Sequence, residues 1–110
     1  MILLSGKRVG AVNAGYEIVA SLENAVKCYP EDCRWGVCIG VNQRGSWVTW
    51  EYNADREDDY FTGHYYTFNE DNESVAWENY LERCERVRKY AQGWAEVRNA
   101  KPDYVVVCNE

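Results

Sequence analysis

A single histidine, His64, sets the first limit on chemistry: any Ser–His or Cys–His catalytic pair has to use it. It stands between Gly63 and Tyr65 with no nucleophile motif around it, and so reads as a strand histidine bonded to a neighbour. The catalytic alternative, a general base with Cys33 or Cys38 close in space, ranks below that. Long apolar runs are missing too. Met1-Ile2-Leu3-Leu4 is stopped at once by Ser5-Gly6-Lys7-Arg8, too short for a signal-peptide core and far too short to span a bilayer. No membrane association is expected. Phosphate loops are absent: Gly6-Lys7 lacks the upstream glycine and the following Ser or Thr, and no G-x-G-x-x-G run exists.

Positive charge is in short supply, with 12 Lys and Arg against 18 Asp and Glu and a formal charge of −6. The basic surface of a DNA or RNA binder is therefore missing, and no direct nucleic-acid binding is expected. An acidic surface repels nucleic acid and attracts basic partners. Tight cysteine pairs are missing as well. Cys28, Cys33 and Cys38 have four residues between neighbours, where a zinc knuckle starts from C-x-x-C. With Cys84 and Cys108 the count is five, and an odd count without a secretion signal indicates reduced thiols in a reducing, cytoplasmic setting. Such thiols behave as small buried hydrophobes, so neither a metal nor a cofactor is expected. Asn72-Glu73-Ser74 matches a glycosylation sequon, a triplet that arises often by chance.

What remains is a globular composition in one domain, residues 1–110, with 46% hydrophobic and 15% aromatic residues to build a small core. Ile18, Leu22, Ala25, Val26 and Tyr29 share a helical face, and Pro30 closes the segment, which predicts a short N-terminal helix. Trp35, Val37, Ile39 and Val41 alternate with small or polar residues, the period of a strand. Asn42-Gln43-Arg44-Gly45 is a turn, Ser46 to Asn53 a second strand, Ala54 to Asp59 a charged loop and Tyr60 to Phe68 a third strand. A polar stretch from Asn69 starts a long helix with a core stripe of Trp77, Tyr80, Leu81, Cys84, Val87 and Ala91. Tyr104 to Cys108 is a continuous apolar run, the pattern of a strand buried on both faces. The expected fold is α+β: a three-stranded antiparallel meander packed on one long helix, with the shorter N-terminal helix and terminal strands added.

Several clusters have plain structural readings. Arg83, Arg86, Arg88 and Lys89 form a basic stretch, but Glu82–Arg86 and Glu85–Lys89 are i,i+4 pairs, so a solvated helix face is expected. Asp55, Glu57, Asp58 and Asp59 crowd one loop without the spacing of an EF-hand. Charge is nevertheless uneven. From Glu51 to Glu82 there are ten carboxylates against a single Arg56, formally −9. The overlapping stretch from Trp47 to Phe68 holds Trp47, Trp50, Tyr52, Tyr60, Phe61, Tyr65, Tyr66 and Phe68. Strand parity places Trp50 and Tyr52 opposite Trp47, and Tyr60, Tyr66 and Phe68 opposite Phe61 and Tyr65. One helix covers one face only, so the rest are covered by terminal segments, buried in an interface or exposed for binding.

These features point to a non-enzymatic binding protein for a partner with a basic surface, with a second copy of the chain as another candidate partner. The candidate partner-binding residues are Trp47, Glu51, Asp55, Glu57, Asp58, Asp59, Phe61 and Tyr65. In composition alone (small, acidic, without a catalytic motif) the chain is similar to phage- and mobile-element-encoded inhibitors of host defence, anti-CRISPR proteins among them. That resemblance implies a protein that occupies a groove made for nucleic acid, whose clustered phosphates clustered carboxylates can imitate. Two alternatives stand below it: a small-molecule or nucleotide binder that uses the strand aromatics, and a small enzyme that uses carboxylates, His64 or a thiol.

Overall fold

A computed structural model describes residues 3–5, 8–24, 34–67, 72–98, 104–105 and 107–109. Its elements in chain order are β1 (Leu3–Ser5), β2 (Val12–Asn13), β3 (Tyr16–Asn24), β4 (Trp35–Val41), β5 (Trp47–Asn53), β6 (Tyr60–Tyr66), α1 (Asn72–Arg98), β7 (Tyr104–Val105) and β8 (Val107–Asn109). The main sheet runs β2-β3-β4-β5-β6, all antiparallel, and curls into a half-barrel. β7 pairs with the far end of β3, and β1 pairs with β8 in a separate two-stranded sheet. The three-stranded meander with an N-terminal helix is thus replaced by a larger sheet and, among the described residues, one C-terminal helix.

The segment expected as that helix is β3 as far as Asn24; Ala25 to Tyr29 lie outside the described residues. The difference from the helical pattern has a physical cause. The register against β4 slips between Ile18 and Ala20, so Val19 is an extra residue and the alternation of faces breaks there. Beyond it, Ser21, Leu22, Glu23 and Asn24 are all buried, because a central strand is covered on both faces. A bulged strand buried on both faces has no period of two, and Ile18 and Leu22 then fall at helical spacing by coincidence. Ahead of it, β2 and β3 are joined by a tight turn: Ala14 and Gly15 both have positive φ, 50° and 84°, as a two-residue hairpin needs.

The β4–β5 hairpin follows its turn chemistry. Asn42 Oδ1 accepts from the backbone N–H of Arg44 and of Ser46 at 3.0 and 2.9 Å, and Gly45 takes a φ of 80°. The run at the C-terminal end is divided: Tyr104–Val105 joins the main sheet and Val107–Asn109 pairs with β1. The expectation that its side chains are buried on both faces falls outside what is described.

Two cores result. On one face Ala20, Leu22, Val37 and Ile39 pack against Ala76, Tyr80, Cys84 and Val87 of α1, with Trp47, Tyr66 and Trp77 at the margin. On the other, Ile18, Cys38, Val48, Trp50 and Tyr52 form a second cluster with Tyr16 and Tyr60 against it. Leu81, expected in the helix stripe, is 51% exposed, and Arg83 takes the inward position at 3%. No helix among the described residues is long and apolar enough to cross a membrane.

Candidate functional site

The charged loop between β5 and β6 is held from beneath by two arginines. Arg8 lies over the ring of Tyr52, 4.7 Å from its centroid, and 5.3 Å from that of Tyr60. Its Nη1 donates to the Tyr60 hydroxyl at 2.9 Å and to the Glu57 carbonyl at 3.1 Å. Its Nη2 donates to the Asn53 carbonyl at 3.0 Å and to the carbonyl of Arg56. Arg34 binds Asp55 through Nε at 2.8 Å while its backbone N–H donates to the other carboxylate oxygen at 3.0 Å. That hydrogen bond raises the Arg34 pKa above the ordinary arginine value. Arg34 also approaches Glu23, which is 1% exposed and accepts from the Tyr52 hydroxyl at 3.0 Å. Burial first, and the Glu23 charge second, push the Tyr52 phenol well above its usual value, so it stays a donor.

The outcome is a loop with its backbone fixed and the carboxylates of Glu57 and Asp58 left to solvent. Asp55 is ion-paired; Glu57 and Asp58 are exposed and in no direct ion pair among the described residues. Asp59 is half-buried, and its carbonyl accepts from the Asn53 N–H at 3.0 Å. An open groove of about 610 Å³ borders the loop between Arg8, Val12, Asn13, Asp58 and Tyr60.

A second feature lies two residues into β6. The register against β5 slips between Thr49 and Glu51, where β6 carries an extra residue. Thr62 sits there with a φ of 50°, which a β-branched residue rarely adopts. Arg83 of α1 secures it: Nη2 donates to the Thr62 carbonyl at 2.7 Å and Nη1 to its hydroxyl at 3.3 Å, while Nε donates to Asn79 Oδ1 at 3.1 Å. Asn79 Oδ1 also accepts from Thr49 at 2.6 Å, and the Thr62 hydroxyl donates to Glu51. Burial lowers the Arg83 pKa below the ordinary value and the Glu51 carboxylate opposes that shift. Arg83 is therefore a tie between helix and sheet, not part of a solvated basic face. Of that face, Arg88 pairs with Glu85 at 3.8 Å.

The bulge also corrects the parity of the aromatics. Tyr60 and Tyr65 lie with Trp50, at ring separations of 5.3 and 6.1 Å, while Phe61 pairs with Glu51 and Tyr66 joins the helix-side core. Phe68 lies outside the described residues.

The candidate residues therefore divide. Glu51, Asp55, Glu57, Asp58, Asp59 and Phe61 gather at one end of the β5–β6 hairpin. Trp47 and Tyr65 stand toward the other end; Trp47 packs on Trp77 of α1 at 6.0 Å, and Tyr65 is 57% exposed on the opposite face. The helix acids Glu73, Glu78 and Glu82 are exposed but belong to the part of α1 that starts at the far end of the hairpin, where Asn72 Nδ2 donates to the Gly45 carbonyl at 2.8 Å. The same bond engages the Asn72 amide of the sequon. Arg8, Arg34 and Arg83 carry the site's geometry, and nothing in the residues near them in sequence marks them.

The chemistry open to a nucleophile is restricted. His64 is exposed and pairs across the ladder with Thr49. Burial pushes the Cys38 thiol up to about 12 and the Cys84 thiol up to about 11. Cys28, Cys33 and the side chain of Cys108 lie outside the described residues. Both described thiols should resist a thiol reagent at pH 8 in the native protein and react fully in urea; native labelling of either would show that the core opens. The sign for stability follows. A raised thiol pKa leaves the native state undiminished below the ordinary value of 9.0 and weakens it as pH climbs from there through the folded values.

No protein-family description, curated protein or solved structure matches this chain.

Proposed function

We propose that the chain is a non-enzymatic binding protein that docks the acidic end of its β5–β6 hairpin on a basic surface of a protein partner. In its finer form, that surface is a groove that ordinarily holds nucleic-acid phosphates, and the chain acts as an inhibitor by occupying it. The observation that carries the reading is the Arg8 staple. Arg8 uses its donors on the carbonyls of Asn53, Arg56 and Glu57, which fixes the loop while leaving the carboxylates of Glu57 and Asp58 outward. A fixed loop loses less entropy on binding than a mobile one. Phe61, 42% exposed beside it, supplies an apolar contact next to the charges. The bordering groove has the volume of a ligand site but a charged, open lining, whereas small-molecule sites are mostly apolar and enclosing.

The test is association kinetics against the partner recovered by pull-down. Glu57→Gln, Asp58→Asn and Asp59→Asn combined should slow association about tenfold at low salt and flatten its salt dependence, because steering charges act on the approach. Circular dichroism should be unchanged. A folded triple variant that associates at the wild-type rate at low salt removes the acidic-loop reading.

A further inference from the structure

The two edges of the main sheet differ. The outer side of β3 is covered at both ends, by β2 opposite Tyr16 and Glu17 and by β7 opposite Glu23 and Asn24. β6 ends the order on the other side, and no strand pairs with its outer edge among the described residues. Phe61, Thr62, Gly63, His64 and Tyr65 are consecutively exposed. Natural edges are commonly protected by charge, by proline or by a bulge. From Tyr60 to Tyr66 there is no Lys, Arg, Asp, Glu or Pro; the bulge at Thr62 is the single device of this kind. It guards only the first part of the strand. Arg83 already takes the Thr62 carbonyl, so pairing stops there, while Gly63 to Thr67 lies beyond it.

We infer that the edge from Gly63 to Thr67 accepts an extended segment of a protein partner as an added antiparallel strand, with basic residues at that segment's C-terminal end. This rests on the acidic-loop reading for its choice of partner. The geometry sets the polarity. β6 runs away from the loop, so the C-terminal end of an antiparallel guest points toward Glu57, Asp58 and Asp59. Lysines placed just past the bulge then reach carboxylates across roughly 10–13 Å of extended chain. Main-chain pairing supplies affinity in such additions and side-chain contacts supply choice. Tyr65, exposed on the side of Trp50 and Tyr16, offers a cross-strand contact to a β-branched guest residue. A second copy fits less well: two chains of −6 would meet along a strand that carries no Lys or Arg to offset them.

The probe is the synthetic peptide TVTVTKKK, compared with KKKTVTVT and with TVTVTKKK N-methylated at alternate amides. The readout is amide hydrogen exchange of the full chain together with the dissociation constant. TVTVTKKK should slow exchange at amides within Gly63 to Thr67 by about tenfold at saturation. The reversed peptide should bind more weakly, and the methylated one should lose the protection. The loop triple variant should weaken affinity yet keep the protection once saturated. If methylation changes nothing, or if exchange slows only in the loop, strand addition is overturned while the acidic-loop reading stands. If protection is full and affinity is indifferent to the triple variant and to salt, strand addition stands and the acidic-loop reading falls. No binding, or a peptide-free dimer with the β6 amides already protected, overturns the inference.

Discussion

Gly36→Ala should lower the urea midpoint of the protein by a large margin. Gly36 lies in β4 directly opposite Tyr52 in β5. A Cβ there would come within 2.5 Å of Tyr52 Cζ and 2.8 Å of its hydroxyl oxygen. Real Cβ contacts are never that short, so something has to move. The ring is fully buried, its hydroxyl donates to Glu23, and Arg8 lies on its face. Moving it breaks the link to Glu23 and Arg34 and disturbs the support of the loop together. The expected cost is about 3 kcal/mol, the upper end for added volume in a packed core. That is a large share of the roughly 5–15 kcal/mol of an ordinary domain. Gly63→Ala is the comparison: its Cβ would come within 2.8 Å of Nε1 of the buried Trp50 and 2.9 Å of Tyr65, and only the exposed Tyr65 can swing aside, so a smaller but measurable loss is expected. Urea midpoints decide: equal, small shifts for both variants would mean that the Tyr52 ring gives way easily.

Arg83→Leu should be the second large effect. Leucine fills the buried stem but removes every donor that the guanidinium aims at Thr62 and Asn79. The Thr62 carbonyl and the Asn79 oxygen lose partners, and a β-branched residue at positive φ loses its support. Asn79 Oδ1 keeps the Thr49 hydroxyl and Thr62 is exposed, so the loss is that of hydrogen bonds to a charged group, about 2 kcal/mol. Arg86→Leu, on the exposed side of the same helix, should stay within about 0.5 kcal/mol. A double-mutant cycle with Thr62→Gly separates the two contributions, since glycine takes that φ freely. Purely additive losses would show that Arg83 does not act through Thr62.

The fold was legible where local pattern and long-range packing agree. Trp35 to Val41 alternates cleanly, Asn42 to Gly45 carries its own turn chemistry, and the polar residues before Val75 start the long helix; all three are found. Legibility failed where a residue is inserted into a ladder. Val19 hides β3 by spoiling its alternation, and the extra residue at Thr62 and Gly63 moves Tyr65 to the face opposite the expected one. A bulge is a relation between two strands, so one strand's residues do not announce it. The site was legible in its charges and not in its supports. Glu57 and Asp58 stand out in the loop, but Arg8 lies 49 residues before Glu57 and is joined to it only by the curl of the sheet. Leu81 and Arg83 depart from their expected positions for a related reason: hydropathy favours burying leucine, whereas the helix sets its buried face by geometry along Ala76, Tyr80, Cys84 and Val87.

The Arg8 contact also decides how this part of the molecule comes apart. One guanidinium joins the turn at Arg8 to Gly10, the end of β5 and the loop before β6. None of these can loosen alone, because freeing the loop carbonyls strands the arginine over the tyrosine rings, and withdrawing the arginine leaves the carbonyls without donors. A protease offered the native protein would then find two surface loops, distant in sequence, becoming cleavable together and at the same rate, as a single opening event exposes both.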